Sequence, residues 1–219
     1  MNGRLIKVEN LSFSYSDGVP VLKNINIELA PGERVGLVGH VGCGKTTLLH
    51  LIVGLLKPTE GTITAFGRVR RDESDFHEVR RRAGLVFQDA DDQLFCPTVA
   101  EDVAFGPLNL GKSPEEAIEI ADRTLRLLGI DGFQERITYD LSGGEKRLVS
   151  IATVLAMEPD ALLFDEPTNG LDEDARARIT AVLDSLPQAM IIVSHDREFI
   201  DALATRVLEM TKGAIVSRE

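Results

Sequence analysis

The stretch Gly39-His40-Val41-Gly42-Cys43-Gly44-Lys45-Thr46-Thr47 has the spacing G-x-x-x-x-G-K-[ST], which cradles phosphates. Its glycines let the backbone curl so that successive N–H groups point into one hollow. That hollow opens at a helix N-terminus, where backbone dipoles favour anions. Lys45 adds a point charge for the outer phosphates, and the Thr46 hydroxyl suits Mg²⁺. A second uncovered helix start lies at Leu141-Ser142-Gly143-Gly144-Glu145, with Ser142 as a natural N-cap. A third feature is acidic: the apolar run Ala161-Leu162-Leu163-Phe164 ends in Asp165-Glu166. A buried strand that ends so has a cation or a proton to handle. Asp165 suits a second Mg²⁺ ligand, and Glu166 suits orienting an attacking water. His195 ends another apolar run and reads either as structural or as a member of the site. Leaving the same sheet edge as the other polar groups favours the site. Tyr15 is either an adenine-stacking aromatic or an ordinary half-buried strand tyrosine. Asp89, Asp91 and Asp92 are dense enough to bind a metal, to receive a partner's arginines, or to form a solvated turn. His40 with Cys43 supplies only two metal ligands, a poor site.

The elements that must position these groups follow from periodicity. Arg34–Val38 reads as a short buried strand into the phosphate loop. Residues 46–56 read as the helix after it, with Leu48, Ile52 and Leu55 on one stripe. Residues 5–14 read as a strand interrupted near Asn10, with Leu5, Lys7 and Glu9 and then Leu11 and Phe13 in alternation. A turn at Asp17-Gly18 and Pro20 leads to a second strand, 21–29, and Pro31-Gly32-Glu33 turns into the phosphate-loop strand. The expected N-terminal unit is therefore a small antiparallel β layer. Residues 62–66 form a further strand. Residues 67–82, rich in both arginine and acids, read as a solvated loop and short helix rather than a nucleic-acid patch. Residues 84–87 are a buried strand that ends at Gln88. Helices are expected over 98–108 and from Pro114, the latter with Ile118, Ala121, Leu125 and Leu128 in register and Gly129 closing it. After Ser142, Leu148, Ile151, Ala152 and Leu155 share one helical stripe. Asp172 precedes a helix with Ala175, Ile179, Val182, Leu183 and Leu186 on one side. Residues 190–193 are a strand, and 207–210 with 214–217 close the chain as a hairpin.

The chain has 219 residues, ordinary apolar content and a net charge of −11. One large domain or two small lobes fit that length. The acidity disfavours nucleic acid as a partner, since phosphate contacts need a basic face. Two cysteines, Cys43 and Cys96, are too few for a disulfide framework, so a reducing compartment is expected. Residues 1–10 do not resemble a signal peptide, and no apolar run approaches the length of a membrane span.

In order along the chain, Tyr15, Gly39–Thr47, Gln88, Leu141–Glu145, Leu162–Pro167, Asp172 and His195 resemble the motifs of the ATP-binding subunits of ABC transporters. The resemblance covers essentially the whole chain. It implies an α/β fold: a RecA-like P-loop NTPase core with an antiparallel β subdomain and a helical subdomain. Residues 1–219 would form one ABC ATPase domain. Residues 1–88 and 158–219 would be the core with its β layer, and 89–157 the helical lobe ending in the signature helix. The resemblance also implies roles. Tyr15 stacks the adenine of ATP, and residues 39–47 wrap its phosphates. Thr46, Gln88 and Asp165 serve Mg²⁺, and Gln88 also reaches the attacking water and couples to the transmembrane partner. Glu166 is the catalytic carboxylate, and His195 contacts the γ-phosphate. Ser142, Gly143, Gly144 and Glu145 meet the nucleotide of a second ATPase subunit, most simply an identical one, and Asp172 bridges the pair. Departures from the family pattern are His40, Val41 and Cys43 in the loop, where proline, asparagine and serine or alanine are usual. Glu145 replaces the commoner glutamine. The loop positions contribute mainly backbone, so nucleotide binding should survive; a redox role for Cys43 stays open.

Gln88-Asp89-Ala90-Asp91-Asp92-Gln93-Leu94-Phe95, with the sequence through Pro107, resembles the energy-coupling-factor branch of importers. That implies a transmembrane scaffold protein met through Asp89, Asp91 and Asp92, a substrate-binding membrane subunit, and a peripheral place on the cytoplasmic face of the membrane. The short segment after the hairpin is similar to cobalt or nickel importers; biotin or another vitamin is the alternative cargo. A soluble ABC ATPase of DNA repair or translation would carry coiled-coil insertions or two ATP sites, and a GTPase would carry an Asn-Lys-x-Asp motif.

Overall fold

The computed structural model describes residues 3–16 and 18–216. Met1 and Asn2, the expected turn residue Asp17 and the expected hairpin end Ser217 lie outside them. The chain divides into two compact units: Met1–Leu85 with Asp160–Glu166 and Pro187–Glu219, and Val86–Pro159 with Pro167–Leu186.

The N-terminal strand β1 (Ile6–Ser14) is bulged, as the interruption near Asn10 suggested. Asn10 has φ 51°, and the register with the next strand shifts between Val8 and Leu11. The bulge changes which parity faces inward. Ile6 and Val8 are buried before it, Leu11 and Phe13 after it. Lys7 and Glu9 are only partly buried, and Leu5, ahead of the strand, packs against the core. β2 (Pro20–Leu29) buries Leu22, Ile25, Ile27 and Leu29. β3 (Arg34–Val38) has the expected bounds.

Helix α1 (Lys45–Ile52) is shorter than expected. Gly54 ends it with φ 73°, in a place where a Cβ would lie 2.2 Å from the Phe76 ring. Leu55 is consequently 49% exposed and off the stripe, whereas Leu48, Leu49, Leu51 and Ile52 are fully buried. Each such side chain contributes roughly 1.5–3 kcal/mol and seats the phosphate loop's helix on the core. β4 (Glu60–Ala65) is followed by a strand the charge pattern hid, β5 (Arg68–Arg70). Arg70 is buried, and its guanidinium donates to the carbonyls of Ala65 and Asp75 and pairs with Glu78. α2 (Glu73–Arg82) starts at Asp72 with a capping box, and β6 (Ala83–Val86) follows.

The helical unit holds α3 (Val99–Asn109), α4 (Pro114–Leu127) and α5 (Gly143–Leu155). Thr98, Ser113 and Ser142 cap them, each with a reciprocal glutamate three residues on. α4 turns Ala117, Ala121, Thr124 and Leu125 inward; Ile118, expected on that stripe, is exposed. β7 (Ala161–Asp165) belongs to the first unit and α6 (Glu173–Ser185) to the second. Thus residues 167–186, read from the sequence as part of the core, cluster with the helices. β8 (Ala189–Val193), α7 (Arg197–Leu203), β9 (Arg206–Thr211) and β10 (Ala214–Val216) complete the first unit. α7 was not expected; Asp196 caps it at the Phe199 N–H.

The first unit has a four-stranded sheet, β2-β1-β4-β5, antiparallel throughout, and a six-stranded sheet ordered β10-β9-β3-β8-β7-β6. In the second sheet β3 lies parallel to both β8 and β9, and β7 parallel to β8. Parallel strands bring their carboxyl ends to one edge. The phosphate loop after Val38, Glu166 after Asp165, and His195 after Val193-Ser194 therefore leave the same edge.

Candidate functional site

The phosphate loop is built on glycine geometry. Gly39 has φ 156°, and a Cβ there would lie 2.3 Å from the Met210 carbonyl oxygen. Gly44, the residue before α1, has φ 107°, and a Cβ would meet Leu22 at 2.5 Å. Cys43 packs into the hydrophobic core from within this loop. His40 and Val41 are exposed. Lys45 is only 6% exposed, and its Nζ donates to the carbonyls of Gly39 at 2.7 Å and His40 at 3.2 Å. The ammonium thus stands under its own loop. Tyr15 is brought to the same helix: its hydroxyl lies 3.3 Å from Thr47 Oγ1, and its half-exposed ring meets Phe13 edge-on.

Glu166 sits at the sheet edge with φ 47°, a left-handed conformation unusual for a side-chain-bearing residue. Its backbone N–H donates to Val193 O. The carboxylate is fixed from two sides. Oε2 accepts from the His195 backbone N–H at 3.1 Å and lies 2.8 Å from His195 Nδ1, while Oε1 lies 3.7 Å from Lys45 Nζ. Lys45, Glu166 and His195 therefore form one connected polar cluster.

Asp165, beside it, is almost fully buried, and burial pushes its carboxyl pKa up, against a hydrogen bond from Thr46. Its Oδ1 has no hydrogen-bond partner among the described residues. An orphaned carboxylate oxygen joined to a threonine hydroxyl is a hard-oxygen pair that fits Mg²⁺. No group of three or more His, Cys, Asp or Glu that could hold a metal occurs among the described residues.

The second unit presents the other anion-binding terminus. Ser142 is exposed at the start of α5, and its N–H and Oγ both reach Glu145 Oε2 at 2.8 Å. Arg136 donates to both Glu145 oxygens, at 2.6 and 3.3 Å. These bonds hold the Glu145 carboxyl well below its usual range, at about 2. Gly144 lies against α6, where a Cβ would stand 2.8 Å from the Ala175 Cβ. Asp172 caps α6 at the Ala175 N–H, so Asp172, Ser142 and Glu145 line one open pocket of about 260 Å³. Gln88 is exposed, and the segment after it is pinned to α5. The buried Arg147 guanidinium donates to the Phe87 and Gln88 carbonyls, and Lys146 pairs with Asp91 at 2.6 Å. Gln93 donates to Ser150 O and Thr153 Oγ1, each at 2.7 Å. Arg136, Arg147 and Gln93 were not singled out from the sequence. The position of Arg147 on the inner face of α5 was the one available sign; Arg136 gave none.

A phosphate loop beside a carboxylate–histidine pair, on a mostly parallel sheet accompanied by an antiparallel one, defines a nucleotide-hydrolysing cassette. The profile of the ABC transporter family matches residues 22–169, and the chain belongs to that family, as an ATPase. An energy-coupling factor transporter ATP-binding protein of Methanothermobacter thermautotrophicus is 42% identical over 217 residues, covering 97% of this chain and 70% of that protein. The structure of cbiO1 from Clostridium perfringens, part of the ABC transporter complex cbiONQ, superposes with a TM-score of 0.89 at 35% identity, covering 99% of this chain and 88% of that one. A cassette solved as a dimer in a post-hydrolysis state bound to ADP and Pi superposes with a TM-score of 0.88 at 29% identity, covering 98% and 97%.

Proposed function

We propose that this chain hydrolyses ATP at the cytoplasmic face of a membrane to drive an energy-coupling-factor importer, with cobalt or nickel ions as the cargo. The observation that carries the ATPase chemistry is the cluster of Lys45, Glu166 and His195 around the loop's anion hollow. Two relatives name the transporter class: one an energy-coupling factor ATP-binding protein, the other part of the cbiONQ complex. No helix among the described residues is long and apolar enough to cross a membrane.

In this reading the loop N–H groups and Lys45 bind the β- and γ-phosphates, and Tyr15 stacks on the adenine. Thr46 and Asp165, with Gln88, would hold Mg²⁺, which when bound would neutralise charge on the phosphates. Glu166 orients the attacking water and accepts its proton, and His195 fixes the Glu166 carboxylate and meets the γ-phosphate. Ser142, Gly143 and Gly144 face the nucleotide of a second copy, with Asp172 at the contact between copies. ATP then joins two subunits and its hydrolysis releases them. The cassette solved as a dimer supports this stoichiometry. Ser142→Arg tests it: ATP binding by the altered subunit should persist while hydrolysis falls to background. Hydrolysis at the normal rate would overturn the dimeric site.

Asp89, Asp91 and Asp92 are exposed, and Phe95, two residues past Gln93, presents a 65% exposed ring stacked edge-on against Phe105. An acidic run beside an exposed aromatic pair suits a basic, amphipathic segment of a membrane scaffold. Replacing all three aspartates by asparagine should abolish transport in the assembled complex and leave ATP binding intact. Normal transport would remove these residues from the coupling surface.

A further inference from the structure

Glu145 poses an electrostatic problem on the proposed reading. A helix N-terminus that is to meet a triphosphate should not carry a fixed negative charge. Here the Glu145 carboxylate contacts both the N–H and the hydroxyl of Ser142 at 2.8 Å, so it lies on the very turn that would face the phosphate. With its pKa at about 2 it is ionised at any physiological pH.

The structure contains the counterweight. Arg136 comes from the segment between α4 and α5, and both of its terminal nitrogens are spent on the two Glu145 oxygens. Its guanidinium also stands over the Phe133 ring, 4.3 Å from the centroid. Its backbone is fixed independently: the N–H donates to Phe133 O and the carbonyl accepts from Val99 N. Planar, two-pronged pairing of this kind fixes orientation as well as charge.

We propose that Arg136 is a positioning residue for the shared ATP site: it neutralises Glu145 and aims it at the Ser142 N–H and hydroxyl, so that the Ser-Gly-Gly turn accepts the triphosphate held by a second copy of this chain. The pair does what an uncharged glutamine would do alone, with an added dependence on Arg136. The proposal rests on the dimeric reading above.

The test is ATP-driven dimerisation of the full-length chain in a Glu166→Gln background, followed by light scattering with Mg²⁺-ATP at low and high salt. Arg136→Ala should weaken dimerisation by about tenfold at low salt, as expected for one uncompensated charge several ångströms from the phosphate in a partly solvated site, and by less at high salt. Arg136→Lys should recover only part of the loss, because lysine restores the charge without the two-pronged, ring-stacked geometry. Adding Glu145→Gln to Arg136→Ala should restore it, because the charge to be neutralised is gone. Melting of the free subunit checks that Arg136→Ala folds. An Arg136→Ala chain that dimerises normally would overturn the proposal. So would a double variant as weak as Arg136→Ala, which would instead place the guanidinium on the phosphate itself. Failure of the background chain to dimerise with ATP at all would overturn the dimeric reading, and this inference with it. A dimer insensitive to Arg136 would overturn this inference alone.

Discussion

Replacing Glu166 with glutamine should lower the rate of ATP hydrolysis by about 10²–10⁴-fold, the span a positioned general base contributes, while leaving ATP affinity nearly unchanged. Glutamine keeps the shape and an acceptor oxygen for the His195 backbone N–H, which now bonds Oε2 at 3.1 Å. It loses the charge and the basicity. The surroundings make the substitution well tolerated: the side chain is buried, and its position is set by the left-handed backbone at φ 47° and by the parallel strand beside it. A subunit that binds ATP but cannot cleave it should accumulate as the ATP-bound dimer. Single-turnover hydrolysis with light scattering reads both effects. Hydrolysis within a few-fold of the unaltered chain would remove Glu166 from the base's role, and a monomer in saturating ATP would count against the shared site.

Lys45→Ala should lower ATP affinity by roughly 10²-fold or more, since charge-assisted hydrogen bonds contribute about 1.5–3 kcal/mol each and the lysine serves more than one phosphate oxygen. The loss has a second part. Lys45 Nζ is the cation within 3.7 Å of the buried Glu166 carboxylate, and its removal leaves that charge beside an anionic ligand. Titration with a non-hydrolysable ATP analogue separates binding from turnover. Affinity that stays within threefold would mean that the loop N–H groups alone hold the triphosphate. The free subunit should remain folded, because the Gly39 and His40 carbonyls that lose the ammonium lie at a loop open to water.

How much of this was legible depended on how local each signal was. The phosphate loop is written in glycines with positive φ, and at Gly39 and Gly44 close contacts leave no room for a side chain, so its position and the preceding strand agree with expectation. The starts of α3, α4 and α5 agree with expectation, and each has an N-cap with a reciprocal glutamate three residues on, whereas α7, capped by Asp196, was not expected. Expectation failed where a distant partner decided. Arg70 looked like one more solvated charge among many, yet the carbonyls of Ala65 and Asp75 and the Glu78 carboxylate bury it. Ile118 fits the helical period but faces water, since neighbouring helices cover only part of the α4 surface. α1 stops early because Gly54 must pass under Phe76, a contact between segments twenty-two residues apart along the chain.

By itself the sequence determined which groups could do chemistry here: an anion hollow with its lysine and threonine, two acids at a strand end, and a serine–glycine helix start. Those properties reside in residue type and short spacing, and folding does not alter them. The tertiary structure decided their company. The strand order β9-β3-β8-β7 brings residues 39, 166 and 195 to one edge although more than a hundred positions separate the loop from the others. Packing also set Arg136 on Glu145 and Arg147 beneath Gln88, pairings that follow from which segments the folded chain presses together and that no periodicity encodes.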